Sequence, residues 1–171
     1  MKLKYLAFAF LVIIISTFIY NGIPNAPLLS GSTVDSIAVH KSQRILEVFS
    51  KGQLLKSYEM SLGLSPEGDK IFEGDKKTPE GKYSINAKNP NSSFCRNLGI
   101  SYPNEQDIAE ATAVGKLPGG DIKIHGLGFR GFLGKTHLWM DWTAGCIAVT
   151  NDEIKELYDA VPVGTPVLIL K

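Results

Sequence analysis

The sequence predicts a mainly β fold, a β-rich α+β domain with two short helices, and three observations predict it. Seven short runs either alternate apolar and polar residues or are dense in Val, Ile and Leu, with turn-forming residues between them. Two longer stretches carry a cap residue followed by an apolar stripe at helical spacing. No internal repeat or low-complexity segment interrupts this pattern. The chain has 171 residues and 44% hydrophobic content. With one N-terminal segment set aside, about 140 residues remain, enough for a single domain with its own core.

The first element is not part of that domain. Met1, Lys2, Leu3 and Lys4 precede residues 5–20, which carry no charge and whose polar members are Ser16, Thr17 and two tyrosines. A positive flank before an apolar stretch of this length predicts an export signal kept as a membrane anchor over residues 1–20. The lysines mark the cytoplasmic side, so the remainder is expected outside the membrane, periplasmic or at the cell surface. Residues 21–34, with Gly22, Pro24, Pro27 and Gly31, read as a tether. Residues 35–171 are left for the folded domain.

Within the domain, residues 37–39, 45–49 and 54–62 predict three strands joined by short polar or glycine-bearing turns, an antiparallel meander. The run 57–62 (Ser, Tyr, Glu, Met, Ser, Leu) has the two-residue period of a strand with one wet face. Residues 81–87, 121–126, 145–149 and 166–170 supply four more strands. The first helix follows Asn104 and runs through Asp107, Ile108 and Ala111. The second opens with Thr150 and Glu153 in capping-box spacing and carries Ile154, Leu157, Tyr158 and Val161 on one stripe. Pro162 and Gly164 end it and launch the last strand.

The chemistry concentrates in two places. Cys146 lies in Asp141-Trp142-Thr143-Ala144-Gly145-Cys146-Ile147-Ala148-Val149, and His125 lies upstream in Lys123-Ile124-His125-Gly126-Leu127-Gly128. A thiol becomes a thiolate at neutral pH with help from an imidazole, and a glycine before it leaves room for an incoming acyl group. Cysteine-nucleophile acyl transfer is the reading this pair favours. Ile122 and Ile124 alternate with Lys123 and His125, so His125 projects from the face opposite the isoleucines, toward a groove. If the strand at Cys146 pairs beside that of His125, thiol and imidazole come within hydrogen-bonding reach, and amides around Gly145 and Cys146 face a developing oxyanion. The intervening residues 127–142, rich in glycine and aromatics, form a wall suited to an extended peptide. An exported chain with two cysteines also leaves a Cys95–Cys146 disulfide open. Cys95 lacks the flanking glycine and the adjacent histidine, and reads as a structural or incidental thiol.

At these residues the chain resembles the L,D-transpeptidase catalytic domain family, the YkuD-type domain of exported bacterial enzymes that remodel peptidoglycan. His125 and Gly126 match its strand-borne first motif; Thr143, Gly145 and Cys146 match its second. The run Thr78-Pro79-Glu80-Gly81-Lys82-Tyr83 is similar to its earlier turn and strand, and Val163-Gly164-Thr165-Pro166-Val167 to its closing strand. The likeness spans about residues 36 to 170, and the Asp-Trp-Thr-x-Gly-Cys form resembles a murein-acting subgroup. It implies a β-sandwich or mixed sheet, with Cys146 as nucleophile and His125 as base. It implies support from Gly145, Thr143, Gly126 and Asp141, and peptidoglycan stem peptides as the substrate.

Two departures touch the site: Ala144 replaces the motif histidine before Gly-Cys, and Ala148 stands where many members have Arg or Asn. His137 is open to two readings, filling that vacant place or serving the loop's structure. Asp141 is open to orienting an imidazole or closing a turn. Arg130 is a candidate for the substrate's carboxylates, and Trp142 and Tyr102 for the borders of its pocket. The reaction implied is attack on the third residue of a stem tetrapeptide, loss of D-alanine, and resolution of the thioester to a 3,3 cross-link or an exchanged terminus. The alternatives are an L,D-carboxypeptidase or amidase that trims stems or detaches protein, and a non-catalytic wall-binding module.

No cofactor is called for. Three histidines without His-x-x-x-His or Cys-x-x-Cys spacing make no recognisable metal site. A net charge of +1, with no basic run interleaved with aromatics, argues against nucleic acid. The sequence leaves the oligomeric state open.

Overall fold

The structure, a computed structural model, describes residues 2–22, 26–29 and 31–171. Part of the predicted tether, residues 23–25 and 30, lies outside the described residues, as does Met1. Helix α1 (Lys2–Gly22) leads into β1 (Ser36–His40), β2 (Ile45–Ser50), β3 (Gln53–Glu59), β4 (Gly81–Ser92) and β5 (Cys95–Ile100). Then come α2 (Glu105–Ala113), β6 (Lys123–His125), a 3-10 segment (Gly128–Trp139), β7 (Ile147–Ala148), α3 (Asn151–Ala160) and β8 (Pro166–Leu170).

The strands form one mixed sheet of eight in the order β3-β2-β1-β8-β4-β5-β6-β7. β1, β2 and β3 make the antiparallel meander that the turns predict. β8 returns to lie parallel to β1 and antiparallel to β4. At the far edge, β6 and β7 are parallel, with Ile124 opposite Ile147 and His125 opposite Ala148. The two edges then meet. Ser61, just past β3, exchanges both backbone hydrogen bonds with Ala148 at 2.9 Å, and Gly63 bridges to Thr143. The sheet therefore curls until the segment just past its first strand closes a seam with its last. Cys146 lies two residues before that seam.

Both capping boxes form. Asn104 Oδ1 accepts from Asp107 N–H and Asp107 accepts from Asn104 N–H, while Thr150 and Glu153 do the same at α3. The stripe on α3 buries Ile154 and Leu157, with Val161 just beyond, in a single core shared with Leu46, Ile85, Leu98 and Ile124. At about 25 cal/mol per Å² of apolar surface, each such side chain stabilises the fold by roughly 1.5–3 kcal/mol.

Two features differ from the sequence expectation. β5 occupies a segment for which no strand is predicted. It lies between β4 and β6 with Asn97, Leu98, Gly99 and Ile100 all buried, so it lacks the wet face that alternation needs. The stretch after His125, expected as a loop, is 3-10 helical on both sides of Gly134, whose φ of 49° breaks the run.

Candidate active site

The cysteine is set by the turn that enters β7. Thr143 Oγ1 donates to Cys146 O at 2.7 Å and accepts from Gly145 N–H at 3.1 Å, so one buried hydroxyl ties off the turn 143–146. Gly145 has φ 134°, and a Cβ there would stand 2.6 Å from Lys77 O. Only glycine brings the chain this close to its neighbour. Ala144, at the position of the missing motif histidine, is exposed.

Sγ of Cys146, partly exposed, donates to Asp121 O at 3.6 Å. Burial pushes this thiol up from its ordinary pKa, opposed by the Lys123 backbone N–H and the Lys123 ammonium. Charge near Lys123 is shared, because Asp121 holds its Nζ at 2.5 Å. The resting group is a protonated thiol. Cys95 and Cys146 are both free, so the disulfide left open by the sequence is not formed.

His125 projects away from Ile124, as the alternation requires, but into an aromatic enclosure rather than an open groove. Its side chain is 4% exposed. Phe94 lies 4.5 Å from its ring centroid and Trp142 meets it edge-on at 5.8 Å. Nδ1 donates to Gly126 O at 2.7 Å. A carbonyl can only accept, so the hydrogen sits on Nδ1 and Nε2 carries the lone pair. Burial lowers the pKa below the usual histidine value, the Gly126 carbonyl opposes this, and the Lys123 charge adds to it. The imidazole is neutral at pH 7. Gly126 is needed here, since a Cβ would lie 2.8 Å from Phe94 O, Asn151 Oδ1 and Ile154 Cγ2.

The pairing of His125 with Ala148 puts Cys146, two residues earlier, on the same face of the sheet as the imidazole and diagonal to it. Among the described residues no hydrogen bond joins thiol and imidazole, because each is held by a backbone carbonyl of its own.

The 3-10 segment walls the site, and two residues pin it. Asn151, the first residue of α3, accepts from Leu127 N–H at 2.8 Å and Gly128 N–H at 3.0 Å and donates to Gly128 O at 2.9 Å. At the other end, Ser61 Oγ donates to His137 O at 2.9 Å and meets His137 Nδ1 at 3.0 Å. Its one proton serves the carbonyl, so Nδ1 carries its own hydrogen. His137 is 5% exposed, and burial, with His125 nearby, holds its pKa down to about 4. His137 fastens this wall to the sheet seam.

Arg130, Trp142, His137, Leu127 and Trp139 line a cavity of about 590 Å³. Among the described residues, Nε2 of His137 and Nε1 of Trp142, both from residues that line it, are buried without hydrogen-bond partners. Two other candidates sit elsewhere. Tyr102 is 5% exposed and donates to Pro118 O, so its hydroxyl is not offered to a ligand. Asp141 is gripped by Arg44 Nε and Nη2, at 3.1 and 2.7 Å, and accepts from Leu62 N–H at 2.8 Å. It closes the seam. Arg44, Ser61 and Asn151 were not legible as site residues, because their partners lie 97, 76 and 23 or 24 positions away. Among the described residues no cluster of three His, Cys, Asp or Glu side chains could hold a metal ion.

The sheet closed on itself thus carries a glycine-backed cysteine and a strand-borne neutral histidine on one face. The family model of the L,D-transpeptidase catalytic domain matches residues 35–169, and the chain belongs to that family. It is 32% identical over 140 residues to "Putative L,D-transpeptidase YafK" of Escherichia coli (strain K12), covering 78% of this chain and 49% of that protein. Among solved structures it is similar to the helical cell shape determining protein Pgp2 from Campylobacter jejuni, with TM-score 0.59 and 28% identity over 89% of this chain and 53% of the other. It is also similar to Bd1075 of Bdellovibrio bacteriovorus, with TM-score 0.56 and 28% identity over 86% and 53%. The chain spans about half the length of these relatives.

Proposed function

We propose that this chain is an exported, membrane-anchored L,D-transpeptidase that uses Cys146 to transfer acyl groups between peptidoglycan stem peptides. The observation that carries the reading is the neutral His125, with its lone pair on Nε2, on the same sheet face as Cys146. Cys146 turns about its Cα–Cβ bond away from Asp121 O and gives its proton to Nε2. The thiolate attacks the carbonyl of the third residue of a stem tetrapeptide, normally meso-diaminopimelate. Gly145 N–H is already held by Thr143, which leaves Cys146 N–H to face the oxyanion. D-Alanine departs with the proton from His125, and a thioester remains. The amine of a second stem resolves it to a 3,3 cross-link, or a free D-amino acid exchanges the terminus.

Arg130, exposed at the cavity rim, is suited to a substrate carboxylate. Helix α1 keeps the domain on the outer face of the membrane: residues Lys4–Asn21 are long and apolar enough to cross it, with the lysines inside. A second reading draws on the exposed Ala144. With no imidazole there, water reaches the thioester and the product is a shortened stem or a released protein. Incubating the purified chain with muropeptides and reading products by mass spectrometry separates the outcomes. Cross-linked dimers, absent with Cys146→Ala, are expected; shortened stems alone favour the second reading; unaltered muropeptides would leave only wall binding.

A further inference from the structure

The 3-10 segment carries more exposed apolar surface than a substrate wall needs. Phe129 is 82% exposed, Phe132 81%, Met140 69% and Trp139 66%. Large apolar side chains grouped on one segment mark a surface that meets something other than water. The segment 128–140 contains no carboxylate. Exposed aromatic and Met side chains on a segment without acids suit a membrane interface.

The position of α1 indicates what covers this surface. Residues upstream of Ser16 in the helix are exposed wherever described, while its last turns lie on the 3-10 segment. Thr17 lines the cavity with Trp139 and Met140, and Ser16, Thr17 and Tyr20 surround Trp139 in a smaller hollow. Asn21 Oδ1 would be 2.6 Å from a Cβ on Gly134, and Lys135 Nζ is 5.5 Å from the Tyr20 ring. At 1.5 Å per residue an 18-residue span is about 27 Å long, close to the hydrocarbon thickness of a bilayer. Ser16 to Asn21 then fills roughly the last 8 Å, at the outer interface. Side chains packed on that turn lie at the same depth.

We propose that the 3-10 segment Gly128–Trp139, with Met140, seats on the outer leaflet of the bilayer beside the helix that crosses it. Phe129, Phe132, Trp139 and Met140 enter the boundary between headgroups and acyl chains. This rests on the reading of α1 as a retained span. Because Trp142, two residues past Met140, packs against His125, the lipid surface also braces one wall of the candidate site.

The test uses the chain's two tryptophans, Trp139 and Trp142, both of which border this segment. The full chain and its Trp142→Phe variant, which leaves Trp139 as sole reporter, are reconstituted into phosphatidylethanolamine–phosphatidylglycerol vesicles with brominated acyl chains. Bromine near the headgroup end is expected to quench Trp139 emission by more than half, deep bromine less, and aqueous acrylamide little. In that background Phe129→Ser with Phe132→Ser should halve the bromine quenching and admit acrylamide, while the chain still resists carbonate extraction. A chain that resists carbonate but whose Trp139 is quenched by acrylamide and not by bromine keeps its anchor and overturns the proposal. Indifference of Trp139 to the two serine substitutions also overturns it. A chain stripped by carbonate overturns both the proposal and the anchor.

Discussion

At residue scale the site depends on two glycines and one tautomer. Gly145 joins a left-handed φ to a contact with Lys77 O that no Cβ tolerates. Strain of this kind costs roughly 1–3 kcal/mol before the crowding is counted, so Gly145→Ala is expected to destabilise the chain by about 2 to 4 kcal/mol. Urea unfolding reads the loss directly, and a variant as stable as the parent would remove Gly145 from the account of how the turn is built. The tautomer sets a pH dependence. Burial lowers the His125 pKa, so the imidazole keeps its lone pair at pH values where an ordinary histidine is half protonated. Thiol acylation by a carbapenem, followed by intact mass, should hold its rate down to pH 6.5 and fall only below it. His125→Gln should cut that rate at least about 100-fold at pH 7. An acid limb centred above pH 6.5 would show that another group takes the proton.

At element scale the wall of the site is held from outside itself. Asn151 belongs to α3, yet all three of its side-chain hydrogen bonds go to Leu127 and Gly128, where the 3-10 segment begins. Removing them leaves two backbone N–H groups and a carbonyl to find other partners, at about 1 kcal/mol for each bond. Asn151→Ala should therefore speed amide exchange across 127–142 while exchange in β1 and β2 stays at the parental rate; uniform acceleration would mean that Asn151 supports the fold as a whole. Legibility in the sequence follows the same division. The meander, the Thr150–Glu153 capping box and the α3 stripe could be read because each signal lies within a few residues. β5 could not, since a strand buried on both faces has no period to detect, and Asn97 and Gly99 in it are poor strand formers. The segment after His125 read as loop because its helicity is 3-10, broken at Gly134, and supported by Asn151, Ser61 and α1 rather than by its own sequence.

At the scale of the whole molecule, the sheet seam joins the fold to the site. His125 and Cys146 stand out in the sequence as chemistry, but the bridge from Ser61 to Ala148 that completes their surroundings spans most of the domain and leaves no local trace. His137 sits on that seam, bonded to Ser61 and buried with a pKa of about 4. In the unfolded chain it titrates near 6.5. A histidine held neutral by folding binds fewer protons folded than unfolded. Its contribution to stability is therefore intact above pH 6.5, falls as pH drops through the interval, and is fully lost near pH 4. The depression corresponds to about 2 to 4 kcal/mol, large beside the 5–15 kcal/mol that holds a domain of this size together. His137→Phe keeps an aromatic ring in the space, leaves Ser61 its bond to the backbone carbonyl at 137, and removes the titration. Chemical denaturation at pH 7 and at pH 4.5 should show the parent losing at least about 1.5 kcal/mol more than this variant over that interval. Equal losses would mean that His137 is protonated in the folded chain at pH 4.5. Acid would then leave the seam closed.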